Sequence, residues 1–214
     1  MIHDWRRKWS LSSQAESNFP FGFVQIAQDV TSDGVPIRWH QTADLGQAPN
    51  AILDNVFMAV SLDTYDPGHG IHPRNKQIVA QRLACSGMRV AYGNPDFPAN
   101  GPFPREIDVS DESVLVRYDQ EFTFDADETT GFQICCSDPF RDGVDVCLPT
   151  KRSEIEINIS KRSIEVGAKR ACGGRPRFLA YLWRDVNVLE SENLPIYGTD
   201  HCSLPAAPWI KKLS

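Results

Sequence analysis

The sequence predicts an α/β segment followed by a β-rich module, and three observations predict it. The first half alternates helix-patterned stretches with short apolar strands, the order in which open α/β sheets are assembled. The second half carries short segments of period-two alternation with no convincing helix among them, the pattern of a β-sandwich or jelly-roll-like domain. Between the halves, Asn94-Pro95-Asp96-Phe97-Pro98-Ala99-Asn100-Gly101-Pro102-Phe103-Pro104 packs four prolines and a glycine into eleven residues. Such a composition interrupts regular structure and marks a boundary. The expected division is an α/β portion over residues 1–95 and a β-rich domain over residues 96–214.

Taken in order, Ile2-His3-Asp4-Trp5-Arg6-Arg7-Lys8-Trp9 places its apolar residues at helical spacing, and Phe21 to Ala27 reads as a strand. Val56 to Leu62 is apolar without alternation, as in a strand buried on both faces of a parallel sheet. A loop follows from Asp63 to His72. Pro73, suited to a first helical position, then opens a helix that runs through Ile78, Val79, Leu83 and Ala84. Beyond the boundary, strands are expected at Ser113 to Tyr118, Glu121 to Phe124, Gly131 to Cys136, Ile155 to Ile159 and Phe178 to Trp183. Ile155, Ile157 and Ile159 alternate with Glu154, Glu156 and Asn158. Leu204 to Ile210 contains Pro205 and Pro208, which bar it from a central strand.

With 214 residues, 41% hydrophobic and 23% charged, the chain has the ordinary globular balance and enough length to bury a core. Its net charge of −6, with no basic run longer than Arg6-Arg7-Lys8, excludes a phosphate-backbone binder, so no nucleic-acid partner is expected. No apolar run approaches membrane-spanning length, and neither Met1 to Trp9 nor Phe19 to Ala27 offers the apolar core of a signal peptide. Five of the six cysteines follow residue 130, without a Cys-x-x-Cys pair or a histidine at zinc-finger spacing. Disulfides are therefore expected rather than a metal site. The sequon Asn158-Ile159-Ser160 makes Asn158 a candidate glycosylation site, and both features suit an oxidising compartment.

The segment with the most chemistry is Asp63-Thr64-Tyr65-Asp66-Pro67-Gly68-His69-Gly70-Ile71-His72-Pro73-Arg74-Asn75-Lys76. Two carboxylates and two imidazoles lie just beyond a buried strand. Ester hydrolysis needs an imidazole to take a nucleophile's proton and a carboxylate to fix that imidazole's tautomer. His72 with Asp66, or with Asp63, supplies such a pair; spacing does not choose between the two acids. His72, set against a helix beginning at Pro73, would lie at the positive end of the helix dipole, which favours the neutral imidazole. The same residues also read as loop and cap positions, His69 as loop surface and His40 as a packed, hydrogen-bonded histidine. No Gly-x-Ser-x-Gly, Gly-Gln-Ser-Asn or Gly-Asp-Ser-Leu block and no activated cysteine is present, so the segment is the acid–base part of a site without its nucleophile.

Ile71-His72-Pro73-Arg74-Asn75-Lys76-Gln77, then Arg82-Leu83 and Ala91-Tyr92-Gly93, resembles the histidine block of sialate O-acetylesterases. Further segments resemble that family in the same order: Phe19-Pro20-Phe21-Gly22, Ile37-Arg38-Trp39-His40-Gln41-Thr42-Ala43-Asp44, Phe57-Met58-Ala59-Val60, Cys135-Cys136-Ser137-Asp138 and Leu204-Pro205-Ala206-Ala207-Pro208. The resemblance implies the C-terminal portion of an SGNH-type three-layer α/β hydrolase domain followed by a β-sandwich or jelly-roll-like domain. It implies a carboxylic ester hydrolase that removes O-acetyl groups, notably at the 9-position, from sialic acids or sialoglycans by a Ser-His-Asp mechanism without metal or cofactor. His72 looks like the catalytic histidine and Asp66 like its acid. Cys135, Cys136, Cys147 and Cys172 have counterparts and are the disulfide candidates, with pairing open, whereas Cys85 and Cys202 have none. A lysosomal or secreted location follows from the same resemblance. The alternative is a catalytically inactive fragment acting as a carbohydrate-binding or structural β-domain protein.

Overall fold

Helix α1 (Ile2–Ser12) is fastened to the first strands by one buried arginine. In the computed structural model, which describes residues 1–12, 16–28, 34–126, 129–143, 146–157, 162–168, 172, 175–183 and 193–213, the Arg6 guanidinium donates to the carbonyls of Phe19, Asp54 and Asn55 at 2.7–3.1 Å. Those carbonyls flank β1 (Phe21–Val24) and β2 (Val56–Ala59), which pair in parallel from Phe21↔Val56 to Val24↔Ala59. Both strands are shorter than their apolar runs. Gln25 N–H still donates to Ala59 O at 2.9 Å, and Val60 and Leu62 stay buried beyond the ladder.

A short helix, α2 (Val35–Gln41), begins with Pro36 in its first turn, at a place where the sequence pattern predicts no element. Helix α3 (Gln77–Val90) packs on β2 and buries Val79, Arg82, Ser86 and Gly87. Gly22 and Gly87 both lie on the Phe57 ring, and a Cβ at Gly22 would come within 2.5 Å of it. Close approach of helix and strand requires the missing side chains there.

The expected start of α3 at Pro73 is corrected to Gln77. The intervening residues are held otherwise: the Arg74 backbone N–H donates to Asp66 and the Asn75 side chain accepts from Gln77 N–H. The dipole argument for His72 goes with it, because the effect fades within one turn of the helix end.

The rest of the chain is β-rich: β3 (Pro104–Val109), β4 (Ser113–Tyr118), β5 (Phe122–Phe124), β6 (Thr129–Cys135), β7 (Cys147–Lys151), β8 (Ile155–Ile157), β9 (Ser163–Gly167), β10 (Phe178–Tyr181), β11 (Ile196–Gly198) and β12 (Trp209–Lys212). Two four-stranded antiparallel sheets, in the orders β3-β4-β9-β8 and β12-β10-β6-β7, are accompanied by a separate antiparallel pair, β11-β5. The sheet β3-β4-β9-β8 has one buried apolar face, as period-two alternation requires, whereas β12-β10-β6-β7 is apolar on both, its second face placing Cys135, Cys147, Phe178, Ala180 and Ile210 in a separate cluster with Val35 and Trp183. Val114, Val116, Ile164 and Val166 from one meet Phe132, Ile134, Leu179, Tyr181 and Trp209 from the other in one core. Val56, Met58, Val60 and Leu62 belong to the same core. The proline-rich stretch thus separates the halves in sequence while burial joins them.

Several strands lack a strand-like sequence pattern because proline sits in or beside them. β3 begins at Pro104, β7 contains Pro149 and β12 starts one residue after Pro208. All three are edge strands, where a missing N–H costs no ladder bond. A four-residue helix, α4 (Pro139–Asp142), is capped by the Asp138 carboxylate accepting from Phe140 N–H at 3.0 Å.

Three disulfides are present. Cys135–Cys147 ties β6 to β7, and Cys136–Cys172 joins residues 36 apart. Cys85–Cys202 links α3 to the turn after β11 across a separation of 117. The two cysteines for which the resemblance offered no counterparts are each other's partner. Asn158 lies outside the described residues. Among the described residues no helix is long and apolar enough to cross a membrane.

Candidate active site

The loop beyond β2 is built by local turns. The Ser61 hydroxyl donates to Gln25 O and the Thr64 hydroxyl to Ser61 O, closing the end of the parallel pair. His69 N–H donates to Asp66 O at 2.9 Å and His72 N–H to His69 O at 3.0 Å. Gly68 and Gly70 take left-handed φ values of +81° and +53°, a conformation glycine adopts without a Cβ penalty. The result carries His72 to the protein surface.

The two candidate acids are used differently. Asp66 is bound by Arg74 through the backbone N–H, Nε and an Nη at 2.8–2.9 Å. Arg74 holds its carboxyl well below the usual carboxylate range. Asp63 is buried and accepts from both Nη atoms of Arg82 at 2.5–2.6 Å and from the Tyr197 hydroxyl at 2.6 Å. Arg82 also donates to Val60 O at 2.7 Å. Among the described residues the His72 imidazole makes no hydrogen bond, so neither acid is paired with it in this structure. His69 is exposed. An imidazole that does hold a carboxylate is His40, whose Nδ1 lies 2.6 Å from Asp44; it is hydrogen-bonded as its sequence context suggested but exposed, not packed.

Asp63 and Arg82 are marked in the sequence, but their meeting with Tyr197 has no sequence signal, because Tyr197 lies 134 residues from Asp63. Its chemistry is legible in the structure. Burial, reinforced by the Asp63 carboxylate, pushes the Tyr197 phenol above its ordinary value of 10.0. Burial likewise raises the fully enclosed Tyr118 and Tyr181. Groups whose folded pKa is raised stabilise the fold below the unfolded value, and that stability is lost as pH rises past it. Stability is therefore expected to fall above about pH 10, with tyrosinate absorbance and loss of folded signal appearing together in an alkaline titration. Early ionisation of these phenols in a still-folded protein would contradict the burial.

As for metal ligands, Asp200, His201 and Cys202 bring three donor atoms within 4.8 Å of one another. The Cys202 sulfur is committed to Cys85, so this group offers no thiolate.

The same architecture occurs in a solved structure. A carbohydrate acetylesterase from Xanthomonas citri superposes on 99% of this chain and 44% of its own length, with a TM-score of 0.72 at 21% identity, which speaks to fold. In sequence, the family described as "Sialate O-acetylesterase C-terminal domain" matches residues 105–213, and the chain belongs to that family. Among curated proteins, the sialate O-acetylesterases of Rattus norvegicus and Mus musculus are 42% and 36% identical over 227 residues, covering all of this chain. That of Homo sapiens is 35% identical over 223 residues. In each case the chain spans 40% of the relative's length.

Proposed function

We propose that the chain is the C-terminal part of a sialate O-acetylesterase, with residues 1–95 completing an SGNH-type α/β hydrolase domain and residues 96–214 forming its β-rich companion. In this reading a serine on the portion of the family's length that these residues do not span attacks the acetyl carbonyl of an O-acetylated sialic acid or sialoglycan, notably at the 9-position. His72 takes the serine proton and returns it to the departing sugar oxygen; water, deprotonated by His72, then releases acetate. Asp66 orients His72, which requires its carboxylate to turn from Arg74. Three disulfides suit a lysosomal or secreted protein. The observation that carries the reading is the position of His72: exposed, its imidazole without a hydrogen bond among the described residues, on the loop that leaves the buried parallel strand β2. Ligand-facing groups in α/β sheets sit at that end of the strands.

A hybrid joining this chain to the remainder of the Mus musculus relative tests it. Acetate release from 9-O-acetylated sialic acid is expected from the hybrid and not from the 214 residues alone. A hybrid that unfolds cooperatively yet releases no acetate, beside an active mouse enzyme, would sink the proposal.

A further inference from the structure

A second site lies between α3 and the turn after β11. A half-open cavity of about 550 Å³ is lined there by side chains from both halves of the chain, and neither His72 nor Asp66 is among them. Its size falls in the range of small-molecule sites. We infer that this cavity binds a neutral, hydroxyl-rich small molecule of about disaccharide size. The inference is independent of the esterase reading.

Charge decides the ligand class first. Asp63 and Arg82 line the cavity but neutralise each other, with both Nη atoms and the Tyr197 hydroxyl directed to the one carboxylate. A charged ligand finds no unspent counter-charge in that pair and would lose solvation on entry. Polarity decides it next. The Gln81 carboxamide, the Ser203 hydroxyl and the His201 imidazole line the same space and make no hydrogen bond among the described residues. Together they present both donors and acceptors, which suits hydroxyl groups, able to serve as either. Ile78 and the Cys85–Cys202 bridge add apolar surface for the C–H faces of a ring.

The walls are also fixed before any ligand arrives. The disulfide joins one wall to the other. The Asp200 carboxylate accepts from Cys202 N–H at 2.8 Å and Ser203 N–H at 3.2 Å, while Phe97 meets the His201 ring edge-on at 4.8 Å. Preorganised walls cost little ordering entropy on binding.

The test is an NMR titration of the ¹⁵N-labelled 214-residue chain with lactose, and with lactobionate as its carboxylate counterpart. Lactose is expected to saturate shifts of the Gln81 side-chain amide and the His201 and Ser203 backbone amides at millimolar concentration, with lactobionate weaker. Gln81 is exposed on α3, so its replacement leaves the core intact. Gln81→Ala is expected to weaken lactose by about three- to tenfold, the worth of a neutral hydrogen bond, and Gln81→Trp to abolish the saturable shifts by filling the space. No saturable shift with lactose, shifts confined to other surfaces, or lactobionate binding as tightly as lactose would each overturn the inference. Failure of acetate release in the hybrid leaves this titration untouched.

Discussion

Replacing His72 with alanine in the serine-complemented hybrid is expected to lower kcat/KM for acetate release by about 10⁶-fold, the scale on which a triad histidine is lost. The loss should fall on kcat rather than KM, because the imidazole moves a proton in the transition state and contributes little to ground-state binding. The position makes the measurement clean. His72 is exposed and forms no side-chain hydrogen bond among the described residues, so the substitution should change stability by no more than about 0.5 kcal/mol. Turnover near that of the unsubstituted hybrid, at unchanged Tm, would remove His72 from the mechanism.

The companion substitutions sort the acids. Asp66→Asn removes a half-buried carboxylate covered by the exposed Arg74 and should cost activity with little stability. Asp63→Asn disturbs a buried ion pair and should cost stability first. A loss of activity with Asp63→Asn alone, in a protein that remains folded, would transfer the orienting role to Asp63.

Much of this arrangement is legible in the chain, for local reasons. Ser113 to Tyr118 announces β4 because one face of it is buried and the alternation is complete. The body of α3 is readable from its apolar spacing, but its start is not: Pro73 satisfies the rule for a first helical residue, and only the tertiary contact between Arg74 and Asp66 shows why the helix waits until Gln77. The edge strands with proline fail for a related reason, since edge or centre is a property of the sheet and not of the segment. The disulfide Cys85–Cys202 and the Tyr197–Asp63 hydrogen bond are harder still. Their partners lie 117 and 134 residues apart, and nothing in the spacing of either partner points to the other. Both connect α3 and the end of β2 to the segment around β11, so what sequence could least supply is how the two halves are held together.

That junction carries the second large expectation. In Arg82→Met the volume of the side chain is nearly kept while its charge is lost, and the Asp63 carboxylate, whose side chain is only 2% exposed, retains the Tyr197 hydroxyl alone. Removing one partner of a buried ion pair leaves an uncompensated charge and costs about 3–5 kcal/mol, to be read from urea unfolding. The disulfide fastens the same elements: closing a loop of this length contributes about 4–5 kcal/mol on the chain-entropy account, as an upper figure. Because Tyr197 and Cys202 lie on one short segment and Asp63, Arg82 and Cys85 on the strand end and helix opposite, the two fastenings are not independent. Once either is lost the segment around β11 is freer, and the other restrains less. The combined variant Arg82→Met, Cys85→Ser, Cys202→Ser is therefore expected to lose less than the sum of its parts, with a coupling of about 1 kcal/mol or more. Strict additivity would show that the ion pair and the bridge restrain different motions, and an Arg82→Met protein as stable as the parent would show that the buried pair contributes nothing to the junction.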